Sequence, residues 1–247
     1  MIIPLIVLGT AGVMIGIERS RPGRSWPRVN HWWFRALLLN GLQGLVVVVA
    51  GLAWDPWLQR QRPWSADAIG LFGGSVVGYV AMTFVYYWWH RWRHEVPVLW
   101  RWFHQVHHSP QRIEILTSFY KHPFELLANS LLSSAILYLG IGLDPTAAAG
   151  AVVFSGIAEL FYHWNVRTPF WLGYIFQRPE SHCVHHQEGL HSYNFADLPL
   201  WDLLFGTLRN PREEQFRCGF GPTHEPRLLE MLRGVDVQHP ASTQRAL

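Results

Sequence analysis

Five apolar stretches constrain the fold of this sequence more than any other feature: Ile2–Ile17, Ala36–Ala53, Ala68–Trp89, Leu126–Leu143 and Ala147–Tyr162. Each approaches the roughly 20 apolar residues with which a helix crosses a bilayer, the first being the shortest. The charges of Glu18, Arg19, Arg21 and Arg24 follow the first stretch. A secretory signal carries its positive charge ahead of its apolar core, so this stretch reads as a retained span. Only Asp144-Pro145-Thr146 separates the last two stretches, which predicts a helical hairpin with a tight turn.

Charge and aromatic residues orient these spans. Five arginines lie between Arg19 and Arg35, and Arg91, Arg93, Arg101 and Arg112 follow the third stretch, whereas the loop after the second carries only Arg60 and Arg62. By the positive-inside tendency the N-terminus is expected outside and the segments after spans one, three and five in the cytoplasm. Trp32, Trp33, Trp54, Trp57, Trp64, Trp88, Trp89, Trp100 and Trp102 stand at stretch ends, as an interfacial aromatic belt would.

Hydrophobic residues make up 49% of the chain, yet mean hydropathy is only +0.06. That balance predicts an all-α integral membrane bundle of about four to five spans with a polar cytoplasmic cap. The net charge of +3 comes almost wholly from arginines beside the spans, with Lys121 the only lysine. Lipid headgroups and topology account for them, and nucleic acid is not an expected partner. Cys183 and Cys218 stand in unrelated contexts, which excludes a disulfide framework and a C-x-x-C site. The sequence organisation suggests anchor spans over 1–67, a catalytic domain over 68–210 and a polar tail over 211–247. In that tail Leu228, Leu229 and Leu232 predict one short amphipathic helix, and the last dozen residues read as unstructured.

The cap is where the histidines gather. The pattern His-x-x-His-His occurs twice, at His104, His107, His108 and at His182, His185, His186, and the pair His90 and His94 precedes them. Random placement of 14 histidines among 247 residues yields about 0.04 copies of that pattern, so two copies are not compositional noise. Histidines do collect at membrane interfaces as amphipathic aromatics, which explains single residues but not a repeated spacing. On a helix, positions i, i+3 and i+4 fall within an arc of roughly 100°, so each cluster is expected to aim its rings at one point. Neutral imidazole ligates Fe, Zn, Cu and Ni. Eight imidazoles exceed what one four-coordinate zinc takes up, and the number points to two metals.

The motifs also occur in a telling order. His90-x-x-x-His94, His104-x-x-His107-His108-Ser109-Pro110, Lys121-His122-Pro123-Phe124-Glu125, Phe161-Tyr162-His163-Trp164-Asn165, His182-x-x-His185-His186 and Trp201-Asp202-Leu203-Leu204-Phe205-Gly206-Thr207 together resemble the fatty acid hydroxylase and sterol desaturase superfamily of membrane di-iron oxygenases. The resemblance covers roughly residues 68 to 210. It implies two iron ions held by His90, His94, His104, His107, His108, His163, His182, His185 and His186, with O2 as co-substrate and a C–H bond of a membrane lipid hydroxylated or desaturated. Sterol, fatty acyl chain, ether lipid and isoprenoid all stay open.

The chain departs from the family at one place. Where members often carry Asn-Tyr-Gly after the last box, it reads His191-Ser192-Tyr193-Asn194-Phe195-Ala196, which leaves open whether His191 joins the site. The role of His122 is also open between ligand, neighbour of a ligand and helix cap. His31, His224 and His239 match no box and read as interfacial or surface residues. Ligand imidazoles need a partner on the second ring nitrogen. Glu159, four residues before His163, and Asp202 are the candidates, against a solvent-facing charge for Glu159 and a turn or cap for Asp202.

Electrons would have to come from a separate reductase, ferredoxin or cytochrome. The chain has no cysteine set for an iron–sulfur cluster and no Gly-rich dinucleotide fingerprint. Three other readings compete. A histidine-rich membrane metal transporter or metal-binding protein would carry polar groups inside the spans, which the second and fourth nearly lack. A haem protein would set paired histidines on facing spans, and a zinc hydrolase would show H-E-x-x-H, which does not occur.

Overall fold

The computed structural model describes residues 2–213 and 216–238, with the side chains of residues 2–4 left aside. Two expectations for the C-terminus, an unstructured last dozen residues and a surface role for His239, therefore lie wholly or mostly outside the described residues. Among those described no strand forms, and Gln187 with Cys218 makes one isolated antiparallel bridge.

In chain order the helices are α1 (Ile2–Ser20), α2 (Trp32–Leu52), α3 (Asp55–Arg60), α4 (Gly70–Glu95), α5 (Pro97–Leu99), α6 (Gln105–His108), α7 (Pro123–Ser134), α8 (Pro145–His163), α9 (Pro179–His185), α10 (Pro199–Leu204), α11 (Gly221–His224) and α12 (Leu228–Met231). Among the described residues four segments are long and apolar enough to cross a membrane: Trp32–Arg60, Asp67–Glu95, Pro123–Ile141 and Pro145–His163. The third of these continues past α7 as a π-helix over Ala135–Ile141. α1 packs along α8. Its buried Glu18 carboxylate accepts from the backbone N–H of Ile115 and of Asn165, each at 3.2 Å.

The span helices wear their apolar residues outward. Leu37, Leu38, Leu45 and Val48 on α2 and Leu71, Phe72, Val76 and Val77 on α4 are all exposed. Such a surface suits lipid, which solvates hydrocarbon as well as a protein core does. Inside the bundle the contacts between α4 and α8 are made by small residues. Gly74, Ser75 and Gly78 face Ala147, Gly150 and Ala151, and Ser75 Oγ donates to the Ala147 carbonyl at 3.1 Å. A Cβ on Gly78 would lie 2.8 Å from Leu137 Cδ2 and 2.9 Å from the Ala151 Cβ. This approach lets dispersion and an interhelical hydrogen bond hold two helices where no hydrophobic force acts between them.

The hairpin before α8 forms as its sequence predicts. Gly142 takes a φ of +80° against the Trp64 backbone, and the Asp144 carboxylate accepts from Thr146 N at 2.8 Å and Ala147 N at 3.2 Å. With Pro145 in the first turn this is a complete N-cap.

α4 outruns the apolar stretch that predicts it. It continues to Glu95, so His90 and His94 ride the same helix out of the span. The cap closes over this end with α5, α6, α9, α10 and a π-helix at Trp100–His104. Residues 216–238 pack back onto the bundle. Phe220, Leu228, Met231 and Val237 are buried with Trp32, Ala36 and Leu39 of α2, and Arg35 pairs with buried Glu225 at 3.0 Å. The predicted amphipathic turn appears as α12, with Leu228 inside and Leu229 exposed.

Overpacking a close helix contact costs about 1–3 kcal/mol. Gly78→Leu is expected to destabilise the detergent-solubilised protein by that amount, read as a lower SDS-induced unfolding midpoint. Gly41→Leu, on an exposed position of α2 with nothing within 4 Å, should leave the midpoint unchanged.

Candidate metal centre

Nine histidines collect at the cap end of α4 and α8, in two groups. His90, His94, His104, His108 and His185 form one, and His107, His163, His182 and His186 form the other. Within each group one nitrogen from every ring lies within 4.8 Å of all the rest. Donors on opposite sides of an ion that holds imidazole nitrogen at about 2.1 Å stand about 4.2 Å apart. Only a small contraction separates each group from a coordination shell.

The partition corrects one expectation. Each His-x-x-His-His box is split between the two groups instead of aiming at one point. On a helix the i+4 residue lies 40° from residue i on one side and the i+3 residue 60° on the other, so adjacent histidines diverge by 100°. His104 and His108 therefore share the first group while His107 turns to the second. His182 and His186 share the second while His185 turns to the first.

Hydrogen bonding sets which nitrogen faces inward. The Nδ1 of His90 donates to the Phe195 carbonyl at 2.7 Å, that of His185 to the Tyr193 carbonyl at 2.7 Å, and that of His163 to the Glu159 carbonyl at 2.8 Å. A carbonyl only accepts, so each ring carries its hydrogen on Nδ1 and leaves a bare lone pair on Nε2. Those atoms point into the groups. His90, His94 and His185 each bury an Nε2 with no hydrogen-bond partner among the described residues. Facing Nε2 pairs stand at 3.2 Å for His104 and His108, 3.0 Å for His163 and His182, and 3.1 Å for His182 and His186. Buried lone pairs crowded together are costly without a shared positive centre, and the donor set fits two metal ions.

Burial keeps the rings neutral, the state a metal needs. Desolvation, with neighbouring imidazoles next, holds His108, His182 and His186 well below the ordinary histidine range. His104 is also held well down, by burial and then by Arg93, and His107 by burial and then by His186 and His163. His185 is lowered to about 3 by burial against the opposing Tyr193 hydrogen bond.

The two proposed supporting carboxylates do other work. Glu159 is drawn off by an ion pair with Lys121, so it reaches His163 through its backbone carbonyl only. Asp202 caps a turn, accepting from Phe195 N at 2.8 Å, Ala196 N at 3.0 Å and Thr207 Oγ1 at 2.7 Å. The carboxylate that does touch a site ring is Glu125, fully buried, with its Oε1 at 3.1 Å from His104 Nδ1 and paired with Arg93. Its signal was the charge placed three residues after His122, where an apolar span begins. His122 caps α7, accepting from Phe124 N at 3.1 Å. His191 lies beside the first group, with its Nδ1 3.2 Å from that of His108. Cys183 packs with Ile113 and Cys218.

Comparison with known proteins places this architecture. The fatty acid hydroxylase family model matches residues 75–207, more than half the chain. An ornithine lipid hydroxylase from Rhizobium tropici is 37% identical over 227 residues, covering 84% of this chain and 67% of that protein. The chain belongs to the fatty acid hydroxylase family. A very-long-chain aldehyde decarbonylase from Oryza sativa subsp. indica is 27% identical across 92% of this chain and 39% of its own. Alkylglycerol monooxygenase from Homo sapiens is 27% identical across 75% of this chain and 40% of its own. The chain thus spans about two fifths of the length of these last two relatives. No solved structure matches it. Lipid-modifying oxidoreductases of this family share the matched region, which here holds all nine histidines.

The depressed histidines carry a pH consequence. Free imidazole titrates near 6.5, so below that value the unfolded chain takes up protons that the folded chain refuses. Stability is fully present above about 6.5 and falls as pH drops toward the folded value, which is about 3 for His185. Glu18, Asp197 and Asp202, whose carboxyls burial pushes up to about 7, about 7 and about 6, act in the opposite sense but are three groups against six rings. The thermal midpoint of the metal-free protein should decline steadily as pH falls from 6.5 to 4. A flat profile would contradict the buried, neutral histidine set.

Proposed function

We propose that this protein is a membrane-bound, O2-dependent di-iron oxidoreductase that hydroxylates or desaturates a C–H bond of a lipid. The observation that carries the reading is the pair of buried histidine groups with inward-facing lone pairs. Imidazole donors without a carboxylate among them suit iron and leave its charge largely uncompensated, and two irons bound there would supply the O2-activating redox chemistry.

The chain's own residues do the rest. His90, His94, His104, His108 and His185 would hold one iron, and His107, His163, His182 and His186 the other, which has one fewer protein donor. The backbone carbonyls of Glu159, Tyr193 and Phe195 fix ring tautomers, and Glu125 orients His104. Burial of seven of the nine rings below 4% exposure keeps bulk water from the place where a reactive oxidant would otherwise be quenched.

The substrate is membrane-borne in this reading, because α4 carries His90 and His94 directly out of a span and the bundle surface beside it is apolar. The relatives' names point to lipids of several classes: a very-long-chain aldehyde, an alkylglycerol and an ornithine lipid. The arginine distribution assigns the cap to the cytoplasm, and a separate electron donor would dock on that basic face.

Anaerobically purified protein should carry about two iron ions per chain, with the Mössbauer spectrum of a coupled pair. Cells making the protein should accumulate an oxidised lipid only when O2 is supplied. His107→Ala strips a donor from the four-histidine group and His185→Ala from the five-histidine group. Each should cut turnover by more than about a hundredfold, since even the neighbours of ligands are worth about 10–100-fold, while membrane insertion persists. Normal turnover in either variant, or no bound metal after iron reconstitution, would overturn the reading.

A further inference from the structure

Three consecutive carbonyls in the segment after the last histidine box face the candidate metal centre. The Tyr193 carbonyl takes the Nδ1 hydrogen of His185 at 2.7 Å, and the Phe195 carbonyl takes that of His90 at 2.7 Å. Between them the Asn194 carbonyl accepts from Gln177 Nε2 at 2.8 Å, and the same amide lies 3.0 Å from His182 Nδ1. One short segment thus reaches rings of both groups and of two different helices.

The segment is bent into a conformation that L residues avoid. Tyr193 and Asn194 have φ of +67° and +51°, and His191 before them has +43°. Successive left-handed residues orient their carbonyls alike, as a turn of helix does, where an extended chain would alternate them. Such strain persists only where surrounding bonds over-determine it. Here they do. The buried Asn194 side chain donates to the carbonyls of Ser181 at 2.7 Å and Arg209 at 2.8 Å and accepts from Arg209 N at 2.7 Å. Its own N–H donates to the Thr207 carbonyl at 3.0 Å. Asp202 holds the next two N–H groups, of Phe195 and Ala196.

We infer that Tyr193-Asn194-Phe195 is a backbone frame that sets the tautomer and aim of His90 and His185, with Asn194 and Asp202 as its positioning residues. The inference deepens the proposed function and rests on it only for the identity of the metal. Asn tolerates the left-handed region better than other non-glycine residues, and its amide ties the segment to the box helix at Ser181.

The test uses the full-length protein in detergent, free of metal and labelled with 15N-histidine, with His90→Gln and His185→Gln assigning the two ring signals. In the wild type both rings should be protonated at Nδ1 and bare at Nε2. In Asn194→Ala both should lose that fixed tautomer and exchange, and affinity for Co(II), read from its visible absorption, should fall about 10–100-fold. Asp202→Asn keeps the side-chain shape while weakening acceptance from Phe195 and Ala196, and should loosen His90. If Asn194→Ala does not fold, Asp202→Asn decides alone. Folded variants that keep both tautomers and bind Co(II) within threefold of wild type would overturn the inference. A wild type with fixed tautomers and tight Co(II) binding, but neither bound iron nor turnover, would instead strike the proposed function and leave the frame standing.

Discussion

The structure turns on a conflict among like atoms. Ring nitrogens from nine imidazoles are brought together in two clusters, and the inner nitrogens of His90, His94 and His185 are buried without a hydrogen-bond partner among the described residues. The outer nitrogens of four rings are satisfied first, by backbone carbonyls for His90, His163 and His185 and by Glu125 for His104. That choice commits the inner nitrogens to a partner that must be a cation. The protein therefore stores the unfavourable half of a binding reaction in its fold, and the rigidity of the surrounding elements is what prevents the rings from turning away.

The bundle supplies that rigidity from the membrane side. The small residues of α4 and α8 bring the two helices into close contact, and both then run out of the bilayer carrying site histidines: His90 and His94 on α4, His163 at the end of α8. A looser helix pair would shift one ring set against the other. The cap closes the remaining sides with short elements whose own helical stability is slight, since pieces of three to seven residues are too short to persist alone. They are held by bonds such as those of Asp202 and Asn194 and by the return of the C-terminal segment over α2.

The spans were legible because bilayer thickness imposes a length on apolar runs that composition cannot hide, and the hairpin because Asp-Pro is a cap written in two residues. The six histidines of the two boxes stood out because their spacing repeats and His90 with His94 as an i, i+4 pair, whereas His163 was assigned only through the family resemblance. What escaped was of another kind. Carbonyls of Tyr193, Phe195 and Glu159 support the rings, yet every residue has a carbonyl, so no side-chain type marks the place. Glu125 escaped because its partners, Arg93 and His104, come from other elements and meet it only after folding. Glu159 misled for a local reason. A helix-face spacing of four residues brings its backbone to His163, but the single lysine of the chain claims its carboxylate.

The division of the boxes explains why the same five-residue pattern has to occur twice. A helix cannot aim adjacent histidines at one point, so a single box always serves two centres, two rings to one and one to the other. Paired in opposite senses, two boxes make an exchange: His107 crosses to the group that His182 and His186 dominate, and His185 crosses to the group of His104 and His108. Each box then spans both groups. His90 and His94 complete one group and His163 the other, which is why those three residues need no crossing partner and stand at the ends of the long, membrane-anchored helices. An ion bound in either group would in consequence order a helix that also serves its neighbour, so the two sites should fill together and not independently.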